Sequence, residues 1–148
     1  MPAFGALSRS NLVGVHPRLV AVADRVVLVW DCQVTDGTRT VEEQRQNVAK
    51  GVSKTMDSKH LIQADGFGHA LDINPFPTNW NAIQRGYDAV KRVTGGMEVL
   101  EFYAFAGFFD GCAWGMGLNL RSGYDWNSNR QFEDQTFLDL PHHELRDV

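Results

Sequence analysis

Five histidines and a set of carboxylates are the residues of this 148-residue chain that could do chemistry. His60, His69 and Asp72 lie within the segment DSKHLIQADGFGHALDINPFP, and His142 and His143 stand together near the end of the sequence. A catalytic zinc ion takes three protein ligands from His, Asp, Glu or Cys and keeps one position for water. A zinc site is therefore the first hypothesis.

Alternation along a strand limits which of these residues can share an ion. The segment HALDIN (69–74) alternates in polarity, as is typical of a short strand. Successive side chains of a strand point to opposite faces, so Asp72 and His69 should not bind the same metal. His60 would then reach the site from the preceding loop. An isolated histidine is more often a hydrogen-bonded residue than a ligand, and that alternative stays open here.

Two further features favour a catalytic site. In DLPHHEL, Asp139 precedes His142 by three residues, a spacing that can put a free carboxylate near a metal-bound histidine. In DGTRT (36–40), Arg39 lies at a predicted turn between a strand and a capped helix. The alternative for Arg39 is an ordinary solvated side chain.

Helices and short strands in mixed order are predicted to position these residues. Pro17 fits the first position of a helix, and Thr40 with Glu43 forms a capping box that begins another helix at 41–50. The pattern further predicts helices at 79–94 and 97–114, the second the most deeply buried, strands at 32–37, 69–74, 118–121 and 142–146, and a polar loop over 122–135. We therefore expect a small single α+β domain over 1–148, with a short antiparallel sheet packed with helices and zinc at the sheet.

Composition and charge narrow the classes of partner. A net charge of −4 without a basic cluster argues against nucleic acid. No stretch approaches the roughly 20 apolar residues of a membrane span, and the N-terminal residues lack the basic start and long apolar run of a signal peptide, so we expect a soluble product of the cytoplasm. Cys32 and Cys112 match no metal or redox spacing and are predicted to be buried thiols, with a disulfide left open.

The motifs SKH, GHALD, DGTRTVEEQ, SKTMDSKH and DLPHHEL together resemble a known family. They are similar to zinc peptidases of the D-alanyl-D-alanine carboxypeptidase group, specifically phage endolysins that act as L-alanyl-D-glutamate endopeptidases. The resemblance extends from about residue 8 to residue 146. Its signature is Ser-x-His, then Gly-x-Ala-x-Asp, then Asp-x-x-His, and all three parts occur here in that order.

The resemblance implies roles for seven positions. The zinc ligands would be His60, Asp72 and His142. Asp139 would be the general base, and Arg39 would face the developing oxyanion. Ser58 and Gln44 would contact the substrate. His143 stands where the family usually has an aromatic residue, and strand alternation turns it away from His142. In the family the aspartate usually stands seven positions after the histidine, whereas Asp72 stands twelve positions after His60. The extra residues within LIQADGF are expected to bulge outward.

The implied activity is hydrolysis between L-alanine and D-glutamate in peptidoglycan. We expect a monomer, and the lack of a signal-peptide pattern and of an anchor favours an endolysin released through a partner pore. The alternatives are a D-alanyl-D-alanine carboxypeptidase of the same fold and a non-catalytic zinc-containing binding module. A carboxypeptidase needs a cation for the terminal carboxylate. Arg39 is the only arginine in a motif position facing the site, and the oxyanion already uses it, so an endopeptidase is favoured.

A second ion is possible in DWNSNRQFED (125–134). Asp125, Asn127 and Asn129 alternate as in a calcium loop, which Glu133 or Asp134 could close. The glycine of such loops is missing and only one or two carboxylates are available, so a plain polar loop is favoured and calcium is the alternative.

Overall fold

The computed structural model describes residues 1–81, 83 and 97–146. The helices and strands within these ranges are α1 (Ala6–Asn11), α2 (Pro17–Val27), β1 (Cys32–Asp36), α3 (Val41–Ala49), β2 (Ala70–Pro75), α4 (Met97–Gly115), β3 (Leu120–Ser122) and β4 (His142–Leu145), with a short 3-10 helix at Phe132–Asp134. The α+β prediction is confirmed. The helix predicted at 79–94 falls almost entirely outside the described residues.

The four strands form one antiparallel sheet in the order β1-β2-β4-β3. Asp72 of β2 lies directly opposite His142 of β4, and Glu144 of β4 lies opposite Arg121 of β3. Directly opposed residues of an antiparallel pair have Cβ atoms about 4.5–5.5 Å apart. The register therefore gathers polar side chains from three strands on one face of the sheet.

The other face of the sheet packs against α2 and α4. Apolar residues at helical spacing along α2 meet aromatic residues of α4 and alternate residues of the strands. The buried side chains of this core include Leu19, Val22, Val26, Val34, Leu71, Ile73, Phe105, Phe109 and Leu145. One face of the sheet is thus committed to the core, which leaves the polar face for a site.

Local signals explain why two helices begin where they were predicted to begin. Pro17 is the first residue of α2, and His16 caps it by accepting a hydrogen bond from the Arg18 backbone N–H. At α3, Thr40 Oγ1 accepts from the Glu43 N–H at 3.2 Å, and the Glu43 carboxylate accepts from the Thr40 N–H at 2.7 Å. The predicted capping box is confirmed.

Strand β3 begins two residues later than predicted, because the residues before it end α4. Gly117 has φ +75° and Leu118 donates its N–H to the Ala113 carbonyl at 2.9 Å, which together make a Schellman cap. Leu118 is buried through this cap. Its apolar character therefore belongs to the end of the helix and not to the strand.

Helix α4 is buried on one face only, so the prediction that it is the most deeply buried helix holds for its three core phenylalanines and not for the helix as a whole. Phe102, Phe105 and Phe109 are fully buried, whereas Met97 and Trp114 are each 75% exposed. No helix among the described residues is both long enough and apolar enough to cross a membrane.

Both cysteines are free thiols, so the open alternative of a disulfide is not supported. Cys32 is buried as predicted, and burial raises its pKa to about 12. Cys112 is only half-buried, so the prediction of a buried thiol holds for one of the two.

Candidate metal centre

Three ligand-type atoms converge on the polar face of the sheet. His60 Nε2, Asp72 Oδ1 and His142 Nδ1 lie 3.2 Å from one another in each of the three pairings. Zinc bonds of 2.0–2.1 Å at tetrahedral angles would separate two ligand atoms by about 3.3 Å. The triangle therefore has the dimensions of three zinc ligands, with the fourth direction left for water or substrate.

The outer nitrogens of both imidazoles face acceptors. His60 Nδ1 lies 2.5 Å from the Gly37 carbonyl oxygen, and His142 Nε2 lies 2.9 Å from Glu144 Oε2. A neutral imidazole that donates from its outer nitrogen presents a lone pair at the inner one. Two lone pairs and a carboxylate oxygen then point at one another, an arrangement that a cation stabilises.

Strand pairing and one close backbone approach position the three ligands. Asp72 and His142 are cross-strand partners. His60 lies in a loop, and its own backbone carbonyl accepts the Arg39 N–H at 2.9 Å. A Cβ atom at Gly37 would lie 1.8 Å from the Asn11 carbonyl oxygen, so only glycine allows the Gly37 carbonyl to stand against His60.

The extra residues between His60 and Asp72 fold into a small turn outside the site, as expected. Gln63 donates its N–H to the Phe67 carbonyl at 2.8 Å, and Gly66 has φ +89°. His69 then pairs its backbone N–H with the Lys59 carbonyl at 2.7 Å. The loop therefore closes on itself and leaves His60 beside the sheet.

Charges and hydrogen bonds within the triangle shift the pKa values of Asp72 and His142. Burial alone would raise the pKa of Asp72, but attraction to His60 and hydrogen bonds with both imidazoles lower it. Burial would lower the pKa of His142, but hydrogen bonds with Asp72 and Glu144 raise it to about 9. In the metal-free site these contacts therefore favour the protonated form of His142.

Asp139 lines the same cleft but is not one of the three converging ligands. Its burial and the charge of Asp72 raise its pKa. Gly123 fixes its backbone, since the two residues share a 2.9 Å hydrogen bond and a Cβ atom at Gly123 would lie 2.1 Å from the Asp139 carbonyl oxygen. Asp139 therefore adds a carboxyl of raised proton affinity to the lining of the cleft.

Arg39 lies at the edge of the cleft on the β1 side of the ligands. Its Nε and Nη2 lie 2.7 and 2.6 Å from Asp36 Oδ2, and Nη2 lies 3.6 Å from Asp72 Oδ2. Its Nη1 donates to Gln44 Oε1 at 3.0 Å. The guanidinium is thus held beside the outer oxygen of a metal-ligand candidate.

Gln44 does not line the cleft, which corrects its expected role as a substrate contact. Its side chain is fully buried, and its amide donates to Ser53 Oγ at 2.8 Å and to the Thr55 carbonyl at 2.7 Å. With both ends of the amide engaged, Gln44 supports Arg39 from behind.

Ser58 does line the cleft, whose volume is about 740 Å³. Its hydroxyl oxygen accepts the His60 backbone N–H at 3.3 Å, and the side chain is half-buried. A contact between Ser58 and a bound peptide is compatible with this position.

The two remaining candidate histidines lie outside the triangle, as strand alternation predicted. His69 Nε2 lies 2.9 Å from Asp65 Oδ2, and its ring packs against His16. His143 is fully buried on the core face of β4, with Nδ1 2.9 Å from both Asp110 Oδ1 and Ser122 Oγ.

A chain of contacts to His142 is formed by three cleft residues that the sequence had not indicated, Glu144, Arg121 and Trp126. Arg121 Nε donates to Glu144 Oε1 at 2.7 Å, and its guanidinium lies 5.5 Å from the centre of the Trp126 ring. The Trp126 ring in turn lies 5.1 Å from that of His142. The two-residue spacing of His142 and Glu144 was a usable signal, since it places both on one face of a strand.

The alternative of a calcium site in the 125–134 loop is not supported. Both carboxylate oxygens of Asp125 accept backbone N–H groups, from Asn129 at 3.2 Å and Arg130 at 3.0 Å. Asn127 and Asn129 are likewise engaged within the loop, where both donate to Asp134. Across the described residues, the group of histidine and acidic side chains that could hold a metal is His60, Asp72 and His142.

Comparisons with known proteins identify the family of the chain. Residues 2–146 match the family described as phage L-alanyl-D-glutamate peptidase. The L-alanyl-D-glutamate peptidase of Escherichia phage T5 is 30% identical over 140 residues, which cover 89% of this chain and 87% of that protein. The crystal structure of the Serratia marcescens L-Ala D-Glu endopeptidase ChiX shares the fold, with a TM-score of 0.64 and 24% identity over 98% of this chain and 91% of that one. The chain belongs to the phage L-alanyl-D-glutamate peptidase family.

Proposed function

We propose that the protein is a zinc-dependent endolysin that hydrolyses the bond between L-alanine and D-glutamate in peptidoglycan. The observation that supports zinc binding is the 3.2 Å triangle of His60, Asp72 and His142 at the cleft. Membership of the peptidase family supports the choice of the bond that is hydrolysed.

When bound, zinc supplies a Lewis acid that makes water nucleophilic near neutral pH and polarises the scissile carbonyl. Asp139 accepts the proton of the attacking water and returns it to the leaving amine. The raised pKa of Asp139 supports this role, because a carboxylate of higher proton affinity is a stronger base. No covalent intermediate with the protein is needed.

Arg39 is proposed to stabilise the oxyanion that develops on the scissile carbonyl, a contribution for which one donor is typically worth ~3 kcal/mol. Its place at the cleft edge beside Asp72 supports the role. Asp36 and Gln44 hold the guanidinium from two directions, so it need not reorganise during the reaction. Ser58 is proposed to contact the peptide.

A carboxypeptidase is the second candidate, because the cleft contains an arginine besides Arg39. The sequence had indicated no cation besides Arg39 for a terminal carboxylate, yet Arg121 also lines the cleft. The choice of bond therefore rests on the family and on product analysis. The monomeric state and release through a partner pore stay predictions.

Mass spectrometry of digested peptidoglycan distinguishes the two activities. We expect new L-alanine carboxyl termini and new D-glutamate amino termini, with no free D-alanine. A chelator should abolish the digestion and added zinc should restore it. Free D-alanine as the main product would overturn the assigned bond.

A further inference from the structure

We propose that Arg121 binds the free carboxylate of the D-glutamyl residue that follows the scissile bond, and so determines specificity. The inference rests on the proposed function and extends it to the recognition of that residue. Arg121 would act on the substrate directly, from the side of the metal site opposite Arg39.

The substrate chemistry demands an anion partner in the cleft. A glutamyl residue has two carboxyl groups, and continuing the peptide uses only one of them. A substrate cut before D-glutamate therefore brings one free carboxylate close to the bond that breaks. Arginine suits such a group best, because its planar fork can donate two parallel hydrogen bonds to a carboxylate.

The sheet places Arg121 within reach of the metal site. It lies opposite Glu144, which is two residues beyond His142 and on the same face of β4. Neighbouring strands are about 4.8 Å apart, so Arg121 stands one strand away from a proposed zinc ligand. Both residues line the same cleft.

Arg121 is anchored on one side and free on the other. Its Nε and Nη2 lie 2.7 and 2.5 Å from Glu144 Oε1. Its Nη1 has no hydrogen-bond partner within the described parts of the chain, and the side chain is 42% exposed. A cation–π contact with Trp126, whose ring also packs on His142, helps to hold the guanidinium in place. A preorganised fork loses little entropy when it binds an anion.

The other cations of the cleft fit the role less well. The Arg39 side chain is only 15% exposed, and its donors are directed at Asp36, Asp72 and Gln44. Lys54 and Lys59 line the cleft from the loop that leads to His60. A lysine ammonium on a flexible stem lacks the two-donor geometry of arginine.

The test compares two synthetic peptides that differ only in this group, one with the free carboxylate and one with a carboxamide. We expect the wild-type protein to prefer the carboxylate by at least about tenfold in kcat/KM. Arg121→Gln should reduce that preference to near one, mainly through KM, and Arg121→Lys should keep part of it.

The ratio is the decisive readout, because Arg121 also pairs with Glu144 and hence supports His142. A purely structural role would lower kcat/KM for both peptides equally, so an unchanged ratio in Arg121→Gln would overturn the proposal. Zinc content is measured in each variant. Arg25→Gln removes the same charge from an exposed position of α2 outside the cleft and should leave both values unchanged.

Two further outcomes would also decide against Arg121. Loss of the preference in Lys54→Gln but not in Arg121→Gln would show that Lys54, and not Arg121, binds the substrate carboxylate. Equal cleavage of both peptides by the wild type would overturn the proposal while the proposed function stands. Failure of zinc-loaded protein to cleave either peptide or intact peptidoglycan would overturn the proposed function, and this proposal with it.

Discussion

His142 and His143 are neighbours in one strand, yet they belong to different environments. His142 faces the cleft, where its Nδ1 lies 3.2 Å from both His60 Nε2 and Asp72 Oδ1. His143 faces the core, where its ring lies 4.5 Å from that of Phe109 and its Nε2 has no partner among the described residues.

Both histidines have a carboxylate partner, Glu144 for His142 and Asp110 for His143. A histidine and a carboxylate therefore do not by themselves make a metal site. On the cleft face a second imidazole and a second carboxylate add lone pairs that converge beside open space. On the core face Ser122 and Tyr124 instead donate hydrogen bonds to Asp110, which satisfies its charge without an ion.

The largest expected effect separates the two histidines. His142→Ala should abolish zinc binding and lower hydrolysis at least ~1000-fold, because it removes a ligand. His143→Gln, which keeps a donor for Asp110, should retain about one zinc per chain. Metal analysis of both purified variants checks this. A folded His143→Gln protein without zinc would contradict the separation of the two faces.

Asp139→Asn should lower kcat by at least ~100-fold, because the amide cannot accept the proton of the attacking water. The change is nearly isosteric and lies outside the converging triangle, so zinc content should stay that of the wild type. Steady-state kinetics and metal analysis are measured on the same preparation. Substantial turnover with zinc bound would remove Asp139 from the mechanism.

The two carboxylate partners give a matched pair. Glu144→Gln should weaken zinc binding by about 10- to 100-fold, since it weakens the hydrogen bond that orients His142. Asp110→Asn should leave zinc affinity unchanged and lower the free energy of unfolding by about 1–3 kcal/mol, because His143, Ser122 and Tyr124 lose a charged acceptor. Chelator competition and urea unfolding measure the two quantities. Equal losses of zinc affinity would show that the faces are not independent.

Zinc affinity should rise with pH by about tenfold per unit between pH 6 and 8. The pKa of His142 is raised to about 9 in the metal-free protein, so below that pH zinc must displace a proton from the imidazole. Calorimetry at pH 7 in two buffers of different ionisation enthalpy should report about one proton released per zinc. His143→Gln should show the same dependence of zinc affinity on pH. A zinc affinity of the wild-type protein that does not change with pH would mean that His142 is not a ligand.

The parts of the fold that were predicted correctly have local signals. Pro17 at a helix start, the Thr40 and Glu43 capping box and the alternation around Asp72 each act within a few residues. Helix α1 was not predicted, because Gly5 at its N-cap offers no side-chain hydrogen bond. The shift of β3 has the same origin, since the cap at Leu118 is visible only once the helix end is folded.

The site shows the same division between local and distant information. His60, Asp72 and His142 stand in motifs, and strand alternation separated them from His69 and His143. Arg121 was missed because its place depends on its cross-strand pairing with Glu144, 23 residues away. Gln44 stands in a motif too, but its complete burial behind Arg39 depends on how α3 packs.

The most direct test of the metal centre is anomalous diffraction at the zinc edge from crystals of the zinc-loaded protein. We expect one strong peak about 2.0–2.1 Å from His60 Nε2, Asp72 Oδ1 and His142 Nδ1. A peak at His69 and Asp65, or in the 125–134 loop, with none at the triangle, would contradict the account.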